Sequence, residues 1–313
     1  MLFPRAGQGW VVEVYGDDWR FDADGFLLNQ PDPDTYDPCW CRSGSKFRFC
    51  HRDRHREKRV TRGEFLSGWE AAADLEICLH PKAPLGCSSQ IIRAHTIQRM
   101  GGGLQAIADG GEVYGHKLHP FFFQKQDLRV VAPERIGTRA ASTFRGFCSV
   151  HDAELFRAAE NEPFVGSQEQ FALLNYRAIV RRIYGQQVHL RHTKIMQTYD
   201  RGLRPQEQRE WYAVHHREWV NALDSLGNLM QLKEEYEDRL ERRAFNDMNA
   251  MIVNFVGRPD LQCTELVSIT EDFSGMRLTD PAPPAHLCAY TIGTSDGWAF
   301  IFSWGGAITR QNN

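Results

Sequence analysis

The 313-residue sequence has no run of about 20 apolar residues, the length that a membrane-spanning helix requires. Its first residues, Met1 to Arg5, also lack the apolar segment of a secretory signal peptide. Both absences predict a cytoplasmic protein that does not associate with a membrane. In that reducing compartment, the eight cysteines are better suited to metal binding or to the core than to disulfides.

Several nucleotide-binding and hydrolase signatures are missing as well. The sequence contains no Walker loop, no Rossmann glycine fingerprint and no serine nucleophile elbow. The run Gly101–Gly103 is not followed by the Lys-Ser or Lys-Thr of a phosphate-binding loop, so it predicts a turn. With a net charge of only −3, the overall composition does not indicate a nucleic-acid-binding protein either.

The first positive signal is a compact group of cysteine and histidine side chains. Residues 39–51 read C-x-C, eight further residues, then C-H, so three thiols and one imidazole fall within one short loop. Thiolate sulfur and imidazole nitrogen are preferred ligands of Zn²⁺, and four of them close a tetrahedral structural site. The pair Ser43–Gly44 permits the turn that returns the chain. The pattern predicts a zinc site formed by Cys39, Cys41, Cys50 and His51.

This spacing, together with Pro38 and the S-G-x-K centre of the loop, resembles the SEC-C motif, first met as the zinc-binding tail of the SecA secretion ATPase. Residues 94–99 and 141–148 are also similar to stretches of bacterial hypothetical proteins that carry a SEC-C motif. The resemblance implies a zinc-dependent face that docks a protein partner or the ribosome. It implies no reaction.

Charge is distributed unevenly along the first 62 residues. Residues 1–38 hold eight acidic against two basic side chains, whereas residues 42–62 hold nine basic against two acidic ones, a net charge of +7. This basic patch lies on and after the zinc loop and favours an anionic partner, although it also fits a solvated loop. We expect nucleic acid, or an anionic protein or ribosomal surface, to contact the run Arg52, Arg54, Arg56, Lys58 and Arg59.

A second, less compact group of thiols and imidazole follows. Cys78 and Cys87 flank a loop, and Cys148 and His151 have x₂ spacing at a predicted helix start. The same residues fit buried thiols and a helix-capping histidine. However, one ligand pair on a loop and another on the first turn of a helix is the ligand pattern of a treble-clef zinc site. We therefore predict a second Zn²⁺ at these four residues.

Between the two ligand pairs, residues 91–97 read I-I-R-A-H-T-I, which is similar to the histidine strand of HNH nucleases. That resemblance implies that His95 is a general base for attack of water on a phosphodiester, with metal and basic patch holding the phosphate. Two features depart from the family pattern. Ala94 replaces the usual aspartate, and eight residues separate Cys78 from Cys87 instead of two. A degenerate nuclease is the first functional hypothesis, and a non-catalytic docking module is the second.

A third hypothesis is an ADP-ribosyltransferase. Such enzymes place an Arg or His on one strand, Ser-Thr on another and a catalytic Glu on a third. Arg93 or His95, then Ser142–Thr143, then Glu169 occur in that order. The order of these residues along the chain does not by itself identify such a site, because the site is defined by their relative positions in space. Glu169 lies in a predicted helix, which counts against this hypothesis.

The remaining pattern predicts an α+β protein of three parts. The first part, 1–62, combines a small β element over 9–29 with the zinc-stapled loop. The second part, 63–190, is a central α+β region that contains the treble-clef-like zinc site. The third part, 191–313, is helical and then β-like.

Individual elements follow from capping and periodicity. Thr61 and Glu64 form a capping box that predicts a helix over 62–73. Apolar spacing predicts a helix through Ile97, Leu104 and Ile107. Further helices are expected over 148–159 and 168–184, and over 207–249 as a pair with breaks around Gly227. Strands are expected at 251–256, 264–269, 289–292 and 298–304.

Overall fold

The computed structural model describes residues 31–99, 103–115, 133–257, 259–269, 285–294 and 297–306. Helices and strands are mixed, which is compatible with the predicted α+β class. The β element predicted over 9–29 lies outside the described residues. Within the described ranges, no helix combines the length and the apolar composition that a membrane crossing requires.

The described chain forms six helices and eight strands. The helices are α1 (Arg62–Ala73), α2 (Leu104–Ile107), α3 (Ser149–Leu155), α4 (Arg157–Glu160), α5 (Gln168–Met196) and α6 (Pro205–Arg242). The strands are β1 (Ile91–His95), β2 (Glu112–Gly115), β3 (Glu134–Gly137), β4 (Thr143–Cys148), β5 (Met248–Val256), β6 (Thr264–Ile269), β7 (Ala285–Thr294) and β8 (Gly297–Gly305).

The chain divides into two compact units. The first unit holds residues 1–65 and 193–218, and the second holds residues 66–192 and 219–313. Each unit therefore combines segments that are distant in sequence. The three domains expected from the sequence are consecutive, and their boundaries stay a prediction.

The second unit contains a four-stranded antiparallel sheet in the order β5–β8–β7–β6. One hydrophobic core joins this sheet to α5 and α6, with Ile179, Leu226 and Ile301 among its buried side chains. Two smaller antiparallel pairs, β1–β4 and β2–β3, also lie in this unit. The pair β1–β4 leads directly into α3, so it places a strand end and a helix start side by side.

Several predicted elements are confirmed. The helix over 62–73 is α1, and Thr61 and Glu64 exchange the expected capping hydrogen bonds. The four predicted C-terminal strands correspond to β5 to β8. A second capping box starts α5: Ser167 Oγ accepts from Gln170 N, and Gln170 Oε1 accepts from Ser167 N.

Four helix predictions are wrong in detail. The helix expected over 148–159 is two short helices, α3 and α4, separated at Phe156. The region over 205–242 is one helix, because Gly227 does not interrupt it. An internal glycine costs only about 1 kcal/mol, and burial of Ala222, Leu226 and Leu229 on one face offsets that cost. Helix α5 continues to Met196 instead of ending at 184, and Ile97 precedes the short helix α2 instead of belonging to it.

Candidate metal centres

The structure brings the residues of the first predicted set together. The sulfurs of Cys39, Cys41 and Cys50 and one ring nitrogen of His51 all lie within 4.8 Å of one another. His51 Nδ1 is 3.2 Å from the sulfurs of both Cys39 and Cys50, and the sulfurs of Cys41 and Cys50 are 3.4 Å apart. A tetrahedral zinc with bonds of about 2.3 Å places its sulfurs about 3.8 Å apart, so the spacing fits such an ion. We call these four residues the first cluster.

The loop that carries the first cluster folds back through main-chain contacts. Cys39 N donates to Ser45 O at 2.9 Å, and Gly44 at the turn has a φ of +79°, which glycine adopts without steric cost. A short 3₁₀ turn, Phe47–Phe49, then returns the chain toward the first two cysteines. The small hydrophobic core of this loop contains Cys39, Trp40, Cys41, Phe47 and Tyr212.

A buried carboxylate holds the other side of the histidine ring. His51 Nε2 donates to Asp200 Oδ2 at 2.6 Å, although 149 residues separate the two in sequence. Asp200 is fully buried, and its Oδ1 accepts from Arg54 Nε at 2.6 Å. Because Nε2 carries the donated hydrogen, Nδ1 is free to face the thiols. A carboxylate behind the second ring nitrogen is typical of metal-binding histidines.

The electrostatics of the first cluster favour a cation at its centre. Hydrogen bonds from Cys39 and Cys50 hold the pKa of the Cys41 thiol well below its usual range, and the pKa of Cys39 is raised because it donates to Cys41. Burial opposes a charge on His51, but its hydrogen bonds to Asp200 and to the thiols raise its pKa to about 11. A proton on Nδ1 and a metal ion are therefore alternatives at the same position.

The turn that carries Asp200 requires a glycine at position 202. Gly202 has a φ of +74°, and a Cβ added there would lie 2.7 Å from Glu57 O and 2.8 Å from Arg59 N. We expect Gly202→Ala to lower the free energy of unfolding of the first unit by about 1–3 kcal/mol, measured by urea denaturation. Gly44→Ala is the matched control, because Gly44 has a similar φ but no atom within 4 Å of the added Cβ. An equal loss in both variants would contradict the steric explanation.

The four residues of the second predicted set also converge. Their ligand atoms lie within 4.8 Å of one another, and His151 Nδ1 is 3.4 Å from the sulfurs of both Cys78 and Cys87. Cys148 ends β4, and His151 lies in the first turn of α3. Cys78 and Cys87 flank a loop that precedes β1. We call these four residues the second cluster.

Backbone N–H groups and a neighbouring ring surround the second cluster. Burial opposes ionisation of Cys148, but the N–H groups of His151 and Ser88 bond to its sulfur and lower its pKa to about 7. Burial and hydrogen bonds with neighbouring thiols raise the pKa of Cys87 to about 12. The ring of His80 stacks on His151 with ring centres 3.9 Å apart, and burial lowers the pKa of His80 to about 4. A neutral imidazole therefore covers the ring of His151.

His95, the predicted general base, lies at the other end of the strand pair. In the register of β1 and β4, Cys148 is opposite Ile91, whereas His95 is opposite Thr143. Extended chain rises about 3.3 Å per residue, so the two ends of β1 are about 13 Å apart. The His95 ring nitrogen Nε2 contacts Thr138 O at 3.1 Å. His95 thus belongs to neither cluster, and its catalytic role stays a prediction.

The residues of the transferase hypothesis do not lie on three strands. Arg93 and His95 are on β1 and Thr143 is on β4, but Glu169 lies in the first turn of α5. Both carboxylate oxygens of Glu169 accept from Arg243 Nη2 at 3.0 Å. Glu169 therefore forms an ion pair at a helix start instead of occupying a third strand.

One of the predicted partner-binding residues, Arg54, contacts the carboxylate of Asp200 behind the first cluster. Arg54 is only 20% exposed, and besides Asp200 it contacts Thr198 O, to which its Nη2 donates at 2.5 Å. The structure thus gives Arg54 a structural contact that the sequence pattern did not predict. Asp53 lies 2.7 Å from Arg52 and 3.5 Å from Arg56 at the surface. The exposed residues of the run are Arg52, Arg56, Lys58 and Arg59.

Asp200, whose carboxylate bonds to His51 of the first cluster, is the residue that sequence reasoning missed. It lies in the turn between α5 and α6, where Asp200 and Gly202 are ordinary turn residues. No spacing rule connects this turn to a loop 149 residues earlier. Asp200 could have been identified only from evidence that its turn contacts the loop that carries His51.

Each cluster offers three sulfurs and one nitrogen, a donor set that could hold a soft or borderline metal ion such as zinc. Calcium and magnesium prefer oxygen ligands, so this donor set does not suit them. Comparison of the chain with protein-family models, with curated proteins and with solved structures gave no match.

Proposed function

We propose that the chain binds one zinc ion at each cluster and that both ions have a structural role. The observation that carries this proposal is the position of His51, whose Nδ1 faces three thiols while its Nε2 is held by the buried carboxylate of Asp200. A histidine held in this way is ready to bind a metal without rearrangement. The ligand order and spacing of the loop support a SEC-C-like module.

The donor sets favour a structural role over a hydrolytic one. A catalytic zinc keeps a coordination position for water, usually by having three protein ligands, whereas four protein ligands close a structural site. Both clusters supply four. His95 lies at the far end of β1 from Cys148, so it is not placed to act with a metal at the second cluster. We therefore favour a non-catalytic interaction protein over the nuclease and the transferase.

The second cluster is proposed as a treble-clef-like zinc site. The supporting features are a ligand pair that flanks a loop and a second pair where β4 passes into α3. The antiparallel pair β1–β4 lies between the two ligand pairs. Zinc there would fix the loop over 78–87 to the strand end.

The docking role is proposed for the first unit. Its basic residues Arg52, Arg56, Lys58 and Arg59 are exposed and follow the first cluster directly. Zinc would hold this basic segment in one conformation, and an anionic surface is the complementary partner.

Metal analysis of the purified full chain tests the zinc proposal. We expect about two zinc ions per chain, about one for Cys41→Ser and about one for Cys148→Ser, because each variant removes one ligand of a four-ligand set. Cys263→Ser is the matched control, since Cys263 belongs to neither cluster, and should keep both ions. Wild-type protein with no zinc, or ligand variants that keep full zinc content, would refute the proposal.

A further inference from the structure

Three side chains form a stacked group on the outside of the first-cluster loop. The Arg48 guanidinium lies 4.8 Å from the centre of the Tyr36 ring and 4.6 Å from the centre of the Phe49 ring. Arg48 Nη1 also donates to the Tyr36 hydroxyl at 2.5 Å, and Lys46 Nζ lies 5.6 Å from the centre of the Tyr36 ring. We call Tyr36, Lys46, Arg48 and Phe49 the aromatic surface.

The two rings of the aromatic surface face solvent. Phe49 is 72% exposed and Tyr36 is 60% exposed, whereas Phe47, two residues before Phe49, is buried. The small core of the loop therefore uses Phe47 and leaves Phe49 outside. A single exposed apolar ring is common on protein surfaces, but two exposed rings arranged around one arginine have the composition of a binding site.

The charge around the aromatic surface is positive. Residues 38–52 contain four basic side chains, Arg42, Lys46, Arg48 and Arg52, and no acidic one. Exposed carboxylates occur on the neighbouring segment at Asp32, Asp34 and Asp37, so the balance over residues 32–52 is one positive charge. An anionic ligand is therefore favoured, and part of its contact must be made with aromatic rings.

Aromatic faces discriminate between an acidic polypeptide and a nucleic acid as the anionic partner. The face of an aromatic ring carries partial negative charge, so the carboxylates of an acidic polypeptide would gain nothing from Tyr36 and Phe49. Nucleobases stack on such rings and on guanidinium planes, while lysine and arginine hold the phosphates. Stacking requires bases that are not paired, and RNA is the nucleic acid that commonly presents them.

We infer that the aromatic surface binds single-stranded RNA, with bases stacked on Tyr36 and Phe49 and phosphates held by Lys46 and Arg48. This inference rests on the proposed function, because zinc at the first cluster would fix the loop that carries Phe49. It adds to that function the class of ligand and the residues that contact it.

The test uses the zinc-loaded full chain and fluorescein-labelled oligouridylate, with fluorescence anisotropy as the readout. We expect Phe49→Leu, which keeps an apolar side chain but removes the ring, to weaken binding roughly 5- to 150-fold, the range measured for loss of one stacked base. Phe49→Trp should bind like the wild type. Tyr114→Ala is the matched control, because Tyr114 is 69% exposed beside Arg135, 6.0 Å away, but lies in the second unit. It should leave the affinity unchanged.

Other outcomes overturn the inference. If zinc-replete wild-type protein does not bind oligouridylate, Phe49 is not a stacking site. The same follows if Phe49→Leu binds oligouridylate as tightly as the wild type does. Tighter binding to polyglutamate, to duplex RNA or to oligothymidylate would identify a different ligand. Zinc content is measured on the same samples, so two ions per chain without RNA binding refutes this inference alone, whereas absence of zinc refutes the proposed function.

Discussion

Removal of zinc is expected to open the loop of the first unit while the four-stranded sheet stays folded. The buried apolar side chains of this loop are few, and two of them, Cys39 and Cys41, are ligands themselves. So small a core cannot offset the conformational entropy of ordering the loop without metal. The sheet of the second unit instead shares a large core with α5 and α6. Zinc binding to such sites contributes about 10–16 kcal/mol in isolated zinc modules.

Limited trypsin digestion with and without a chelator measures this effect. The segment 42–62 contains nine basic residues, and we expect its cleavage rate to rise by about tenfold or more when zinc is removed. Cleavage at Arg242 and Arg243, at the end of α6 in the second unit, is the internal control and should change by less than about twofold. Equal acceleration at both places would mean that zinc stabilises the whole chain and not this loop.

The second large effect is expected from Asp200→Asn. The substitution keeps the size of the side chain but removes the charge that accepts from His51 Nε2 and from Arg54. Loss of such a partner typically weakens metal affinity about 10- to 100-fold, because the ring is no longer held in its binding tautomer and orientation. We expect a loss of this size at the first cluster only.

Competition with a chromophoric zinc chelator measures the affinity of each cluster. Zinc at the second cluster serves as the internal reference in every sample, since Asp200 contributes nothing to that ligand set. Asp53→Asn is the control variant, because Asp53 is a surface carboxylate in the same unit that pairs with Arg52. If Asp53→Asn releases zinc as readily as Asp200→Asn, the buried carboxylate has no special role.

Local features of this chain were readable from sequence because they depend on neighbouring residues. The spacing from Cys39 to His51 anticipated a four-ligand group that the structure brings together. The Thr61–Glu64 capping box fixed the start of α1, since both partners lie within one turn. The C-terminal strands were recognisable because their richness in β-branched and aromatic residues is a property of each segment alone.

Features that depend on contacts between distant parts of the chain could not be predicted from the sequence. Nothing in the sequence connects His51 with Asp200, and Arg54 looked like one more base in a charged run. The continuity of α6 through Gly227 depends on burial of one helix face, which overrides the low helix propensity of glycine. The distance between His95 and Cys148 depends on the register of β1 against β4. Neither of the two sequence motifs contains information about that register.

The separation of His51 and Asp200 also has a consequence for how the protein is made. Ribosomes add about 5–20 residues per second, so a gap of 149 residues means that Asp200 is synthesised roughly 7–30 s after His51. During that interval a nascent chain presents all four ligands of the first cluster without the carboxylate. If zinc binds as proposed, an ion captured then would be held about 10- to 100-fold less tightly than one bound after the turn that follows α5 has folded.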